Sequence, residues 1–226
     1  MHEIIYPHKS HNFTPIYKFG YNTNLHGSDF KSIWSQNVVY PWSAFDTAVA
    51  ITAASDDGDD TDDLEIQGLD ADYNLQTTTV TLTGLTPVNV PGTWKRVFRL
   101  RYRDTSNVGL ILVKTGSTVV AAIDELENSS AMAIYTVPAG YTARMSNYTV
   151  STSKGSEAAI RMKIRLDGDL FNTEHLVESF QNVTTQEFTK GFQFPQKTDI
   201  DFVATGITTN GQVVVSFELL LERNYR

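Results

Sequence analysis

The chain has 226 residues, of which 41% are hydrophobic and 19% are charged, and its formal net charge is −8. This composition is typical of a folded protein, and the negative charge opposes binding to the phosphates of nucleic acid. Because the chain has no cysteine, disulfides, thiolate metal ligands and cysteine nucleophiles are excluded. We also expect no membrane association, since no window approaches roughly 20 consecutive apolar residues and the start does not match a secretory signal.

The first 45 residues are rich in aromatic side chains and follow neither the period of a strand nor that of a helix. We therefore expect an extended arm over residues 1–45 that docks its rings into pockets of a neighbouring subunit and is dispensable for folding. The alternative is a segment that wraps the chain's own body. The candidate partner-binding side chains in this segment are Phe13, Tyr17, Phe19, Tyr21, Trp34 and Trp42.

An aspartate-rich segment follows a short strand pattern at residues 47–52. Six of the eight residues from 56 to 63 are aspartates, and so many like charges predict an exposed loop. Calcium prefers several carboxylate oxygens, but the spacing matches neither of the two calcium-loop patterns with a defined order. A solvated loop is therefore favoured over a metal site, for which the weak candidates are Asp57, Asp59, Asp60 and Asp62.

Residues 64–82 alternate in polarity around a turn-rich stretch at 68–74, which predicts two strands joined by a loop. Residues 84–92 then read as a turn-rich connection. The alternation over residues 94–103 predicts a strand with Phe98, Leu100 and Tyr102 on one face. The opposite face carries Val97 and an arginine row, Arg99, Arg101 and Arg103.

The arginine row has two interpretations. It could bind an acidic partner, and the nearest acidic segment is the aspartate-rich loop of the same or a neighbouring copy. Alternatively, the arginines keep the strand soluble and guard a sheet edge against mispairing.

The remaining sequence continues in short strands. A hairpin is predicted over residues 108–113 and 117–123. A strand, a turn and a second strand are predicted over residues 131–150, and a strictly alternating strand over residues 160–166. Asp167–Gly168 and Asn210–Gly211 are hairpin-turn signals, and residues 171–180 are the one stretch where a short helix is conceivable.

At least ten such strands predict an all-β fold, an antiparallel β-sandwich that resembles a jelly roll and carries the extended N-terminal arm. The expected division is an arm over residues 1–45, a first β unit over 46–126 and a second over 130–226. The two β units could share one core.

Three sets of motifs resemble those of a family of virion structural proteins of tailed bacteriophages. The first set is Phe19-Gly-Tyr-Asn with Ile33-Trp34 and Tyr40-Pro41. The second is Ile66-Gln-Gly-Leu-Asp-Ala-Asp-Tyr-Asn74 with Val80-Thr-Leu-Thr-Gly84 and Trp94-Lys-Arg-Val-Phe-Arg99. The third is Ala131-Met-Ala-Ile-Tyr-Thr-Val-Pro-Ala-Gly140 with Phe194-Pro195 and Lys197-Thr-Asp-Ile200.

The resemblance implies a non-enzymatic component of the virion, made in the host cytoplasm, that binds other virion proteins. A capsid decoration or cement protein on the major capsid protein is favoured, and a neck or tail accessory protein is the alternative. A homo-oligomer is expected, with a trimer favoured because decoration proteins sit at local three-fold axes.

The sequence offers two other candidate functions. A hydrolase would need groups such as His175, Glu174, Asp167 and Asp169, but the two aspartates flank a turn, and no catalytic motif accompanies them. We therefore expect neither an active site nor a cofactor. A carbohydrate- or receptor-binding sandwich would use exposed aromatic rings, with Trp94 and residues 141–148 as candidates.

Overall fold

A computed structural model describes residues 13–25, 27–103, 106–153, 157–180, 183–206 and 211–224. These residues form sixteen strands and a single turn of 3-10 helix (Trp42–Phe45), and none forms an α-helix. Every strand pairing is antiparallel, so the predicted all-β antiparallel fold is confirmed. No helix in this part of the chain is long and apolar enough to cross a bilayer.

In chain order the strands are β1 (Phe13–Leu25), β2 (Lys31–Ser32), β3 (Val49–Ser55), β4 (Asp63–Leu69), β5 (Leu75–Thr81), β6 (Val88–Trp94), β7 (Arg96–Tyr102), β8 (Ile111–Thr115), β9 (Thr118–Ile123), β10 (Ile134–Thr136), β11 (Tyr141–Thr152), β12 (Glu157–Arg165), β13 (Asn172–Phe180), β14 (Val183–Phe194), β15 (Asp199–Gly206) and β16 (Gly211–Arg223).

The strands pair in two groups. Strands β3 to β9 form one sheet of order β6-β3-β8-β9 and another of order β5-β4-β7. The remaining strands form a sheet of order β1-β16-β11-β14 and a sheet of order β10-β15-β12-β13, with β2 beside β15. Buried apolar side chains of both groups belong to one hydrophobic cluster, so the groups are packed through a shared core.

Alternation of polarity explains the best-defined strands. In β16, every second residue from Val213 to Leu221 is buried, and the residues between them are more exposed. Each such apolar side chain contributes about 1.5–3 kcal/mol when it is fully buried. The Asp167–Gly168 hairpin turn is confirmed, because it joins the paired strands β12 and β13 and Gly168 has a φ of 79°.

The described part of the N-terminal segment is not an extended arm. β1 pairs with β16 from Phe13 to Leu25, and Trp34 and Trp42 are buried in the core. Its period is hidden because core-facing positions of β1 hold residues such as Lys18 and Gly20 instead of large apolar ones. Removing residues 1–40 would delete β1 and β2, so that truncation could not leave the body intact. Residues 1–12 of the expected arm lie outside the described residues.

Gly20 shows why a small residue is needed in β1. A Cβ atom at this position would lie 2.3 Å from the Ala133 nitrogen and 2.4 Å from the Ile33 oxygen. The backbone of β1 therefore passes directly against two segments of the body, which only glycine permits.

Three other local predictions were wrong. Residues 88–92 of the expected connection belong to β6, and residues 172–180, where a short helix was conceivable, form β13. The Asn210–Gly211 signal does not join a pair of strands, since β15 and β16 belong to different sheets; Asn210 itself lies outside the described residues.

Candidate functional site

β1 forms an edge of its sheet and presents aromatic rings to solvent. It pairs with β16 on one side, and no strand in the described ranges pairs with its other side. Phe13, Tyr17 and Phe19 are 38%, 64% and 46% exposed, because alternate residues of a strand point to the same face. Pro15 lies between them and suits an edge strand, where its missing N–H costs no ladder hydrogen bond.

Four of the predicted partner-binding residues meet beside this edge. Tyr17, Phe19, Arg99 and Arg101 line a surface depression of about 430 Å³, together with Lys18. We call this region the β1–β7 surface. It combines aromatic rings with three cationic side chains, and none of the described residues that line it is acidic.

The side chains of the arginine row contact groups outside the aspartate-rich loop. Arg103 forms an ion pair with Glu65 on β4, and the Arg101 guanidinium lies 4.0 Å from the same carboxylate. Arg99 donates a hydrogen bond to the backbone oxygen of Tyr17. Burial lowers the pKa of Arg99, and repulsion from Arg101 lowers it further.

The other aromatic candidates are engaged within the chain. Trp34 is 0% exposed and its Nε1 donates to the Val38 oxygen over 2.8 Å, while Trp42 is 6% exposed. Tyr21 is half-buried, and its hydroxyl donates to Asp124 over 2.6 Å. The two tryptophans are therefore unavailable to a neighbour in this fold, which corrects their assignment as partner-binding residues.

The rings considered for carbohydrate binding are also largely buried. Trp94 is 0% and Tyr148 is 1% exposed, so neither can stack on a sugar ring. Tyr141 is half-buried.

The aspartate-rich loop is partly structural and only partly a solvated loop. Asp60 is buried, and its carboxylate accepts hydrogen bonds from the backbone N–H groups of Val108 (2.7 Å) and Gly109 (3.0 Å). Asp56 accepts one from Leu110 over 2.7 Å. These two carboxylates therefore fix the chain that leads into β8.

The other aspartates of the loop remain at the surface. Asp59 is exposed, and Asp57 and Asp62 are half-buried. Within the described ranges, no group of three or more histidine, aspartate or glutamate side chains is arranged to hold a metal ion.

A buried ion cluster joins the two strand groups. Asp199 on β15 is 2% exposed and accepts two hydrogen bonds of 2.9 Å from Arg96 on β7. Arg165 on β12 donates to the same carboxylate over 2.6 and 2.8 Å, and the Thr136 hydroxyl donates over 2.5 Å. Although burial lowers the pKa of Arg96, its hydrogen bonds and charge interaction with Asp199 raise that pKa overall. We call these four residues the Asp199 cluster.

A cleft of about 290 Å³ opens beside the Asp199 cluster. Its cationic lining residues are Lys95, Arg96, Arg165 and Lys197, and its acidic ones are Asp46, Asp167, Asp169 and Asp199. Lys197 and Asp167 form an ion pair of 3.2 Å. The balance of charge gives the cleft no preference for an anionic or a cationic ligand.

Asp201 is a second buried carboxylate on β15. Its Oδ2 accepts hydrogen bonds from Trp42 Nε1 (2.8 Å) and Ser32 Oγ (3.0 Å), whereas its buried Oδ1 has no partner in the described part of the chain. Burial raises its pKa to about 7, despite the opposing effect of the two hydrogen bonds.

Sequence reasoning missed several of these residues. Asp199 and Asp201 stand at alternate positions around the buried Ile200, which would normally predict a solvated face. Lys18 stands between Tyr17 and Phe19, and the alternation of a strand would have placed it on the inner face. The polar and small residues at the inner positions of β1 hide that alternation in the sequence.

No family model matches the sequence, and no curated protein matches it. Two solved structures of infectious bursal disease virus align with 95% of this chain. The alignment with the Gt strain structure covers 78% of that chain, with 8% sequence identity and a TM-score of 0.18. The alignment with the Gx strain structure covers 77% of that chain, with 10% sequence identity and a TM-score of 0.21. At these TM-scores the alignments establish no shared fold, and they carry no argument about function.

Proposed function

We propose that this chain is a non-enzymatic structural protein of a tailed-bacteriophage virion, a capsid decoration protein that binds the major capsid protein through the β1–β7 surface. The proposal rests on the exposed aromatic row of the edge strand β1, with Arg99 and Arg101 beside it. The three motif sets that resemble the virion family support it from the sequence.

The exposed rings supply binding energy. Fully burying one large apolar side chain is worth about 1.5–3 kcal/mol, and Tyr17 and Phe19 are both about half exposed. Aromatic side chains and arginine are also the residue types that most often dominate protein interfaces. An edge strand adds a row of backbone groups with which a partner strand can pair.

The cations favour an acidic partner surface. The chain as a whole carries a net charge of −8, whereas the described lining of the β1–β7 surface has three cations and no carboxylate. Complementary charge mainly raises the association rate and fixes orientation. The partner surface is therefore proposed to be apolar at its centre and acidic at its rim.

The test is a binding assay with virions that lack the protein. The double variant Tyr17→Ser/Phe19→Ser is expected to lose about 2 kcal/mol per copy, a roughly 30-fold weaker affinity. Co-sedimentation of the purified chain with the particles measures its occupancy at several concentrations. Leu85→Ser/Leu170→Ser is the matched control, since these leucines are 64% and 79% exposed outside the β1–β7 surface. Full occupancy by the Tyr17/Phe19 variant at wild-type concentrations would refute this surface as the anchor.

The oligomeric state separates the favoured role from its alternative. A decoration protein at local three-fold axes is expected to have about three times the monomer mass in light scattering. A larger ring would favour a neck or tail accessory protein instead.

A further inference from the structure

A second cavity, open to solvent, lies beside the β1–β7 surface, and Leu75 in its lining is 47% exposed. It measures about 180 Å³, and its lining includes Lys18, Arg99 and Tyr135. Lys18 and Arg99 also line the surface depression of 430 Å³, so these two cations stand between the depression and the cavity. The cavity wall also contains apolar side chains, among them Ile16 and Phe98.

The cavity contains positive charge without a matching carboxylate. Lys18 is 4% exposed, and its ammonium donates to the Phe98 backbone oxygen, which uses one of its three hydrogens. None of the nine described side chains that line the cavity is acidic. Burial, with repulsion from Arg99, lowers the pKa of Lys18 well below its ordinary value, so an anion would relieve an unfavourable arrangement.

The Tyr135 hydroxyl is the second observation that points to a ligand. Tyr135 is 1% exposed, and its hydroxyl has no hydrogen-bond partner among the described residues. Leaving a buried polar group unpaired is costly, and such groups in native proteins usually have a partner. Burial raises the pKa of Tyr135, so its hydroxyl keeps the proton that it would donate.

We propose that this cavity binds a carboxylate, held by the Lys18 ammonium and the Tyr135 hydroxyl, with Arg99 at its mouth. A carboxylate fits better than a phosphate because the apolar wall of Ile16, Leu75 and Phe98 suits the carbon chain attached to it. The carboxylate comes either from a small free acid or from an acidic side chain of a protein partner. This assignment does not depend on the proposed virion role.

The first experiment titrates the purified full chain with sodium acetate and sodium propionate against sodium chloride at equal ionic strength. NMR of the lysine side chains follows Lys18 directly. We expect the carboxylates to raise the pKa of Lys18 toward its ordinary value, because an opposite charge nearby favours the ammonium. Propionate is expected to bind more tightly than acetate, since its extra carbon contacts the apolar wall.

Matched variants identify the groups that hold the ligand. Tyr135→Phe removes only the unpartnered hydroxyl and is expected to weaken propionate binding about tenfold, the value of a hydrogen bond to a charged group. Tyr40→Phe is the control, because the Tyr40 hydroxyl is also buried but donates to the Val97 oxygen over 3.0 Å. Lys18→Met should abolish binding, whereas Lys114→Met should leave it unchanged.

Each result decides the assignment. Equal binding by wild type and Tyr135→Phe, or equal effects of chloride and carboxylate on Lys18, would overturn it, even if Lys18→Met does not fold. Binding of inorganic phosphate without binding of either carboxylate would also overturn it. If carboxylate binding is confirmed, N-acetylglutamate amide identifies the source of the carboxylate. Binding as tight as that of propionate indicates a protein side chain, and binding of propionate alone indicates a free acid. No particle is used, so failure of the virion role leaves this test intact.

Discussion

Replacing Asp199 with asparagine is expected to lower the free energy of unfolding by about 3–5 kcal/mol, the cost of breaking a buried ion pair from one side. The Asp199 carboxylate compensates two guanidinium groups, those of Arg96 and Arg165, which are 5% and 19% exposed as side chains. The neutral amide would leave both cations close together without their anion. Since Arg96 lies on β7 and Asp199 on β15, loss of the Asp199 charge also weakens the contact between the two strand groups.

Urea denaturation at pH 7 measures this loss, and Asp167→Asn is the matched control. Asp167 pairs with Lys197 over 3.2 Å, but its side chain is 51% exposed. Exposed ion pairs contribute about 0–1 kcal/mol, so the control should be nearly neutral. If the two variants lose similar stability, the Asp199 cluster does not stabilise the fold as the buried geometry implies.

The predictable part of the fold is the part in which local alternation and burial agree. β16 and the turn at Asp167–Gly168 were predicted because their apolar residues or turn formers stand at the spacing that the structure uses. β1 was missed because Lys18, Gly20 and Asn22 occupy its inner positions. Its strand pairing with β16, near the far end of the chain, is a tertiary contact that no local pattern in residues 1–45 reveals.

The face of the arginine row was predicted only in part. Arg99 and Arg101 do lie at the surface beside β1, but Val97 is 0% exposed, although the alternation placed it on their face. Gln67 and Gly68 of β4 pair with Arg99 and Val97, so Phe98 is an extra residue in β7, and this bulge changes the face of the residues before it.

The buried polar residues were the hardest to predict. Asp199, Asp201 and Lys18 are residue types that are mostly exposed, so a single sequence favours a surface position for each of them. Their burial depends on partners far away in the chain, such as Arg96 for Asp199 and Trp42 for Asp201.

Asp201 makes the stability of the protein depend on pH. Its pKa is about 7 in the folded chain, against 3.8 for an ordinary aspartate, so between these values the folded state binds a proton that the unfolded state has lost. Stability from this group is therefore fully present below about pH 4 and is lost as the pH rises to about 7. The corresponding free energy is about 4 kcal/mol. The charges acting on Asp201 are those of Lys163, which favours ionisation, and Asp199, which opposes it.

Comparing wild type with Asp201→Asn isolates the pH dependence that Asp201 contributes. The amide cannot ionise, but its oxygen can still accept the hydrogen bonds from Trp42 and Ser32. At pH 4.5 we expect the two proteins to differ by only about 1 kcal/mol, since the wild-type carboxyl is protonated in the fold and ionises only in the unfolded chain. Above pH 7.5 the variant should be more stable by several kcal/mol, up to the value of about 4. Urea denaturation at half-unit steps from pH 4.5 to 8.5 measures the difference, with Asp169→Asn, on the exposed turn, as the control. A difference that stays constant with pH, or that grows toward acid, would show that Asp201 is ionised in the folded chain at neutral pH and that its environment stabilises the charge.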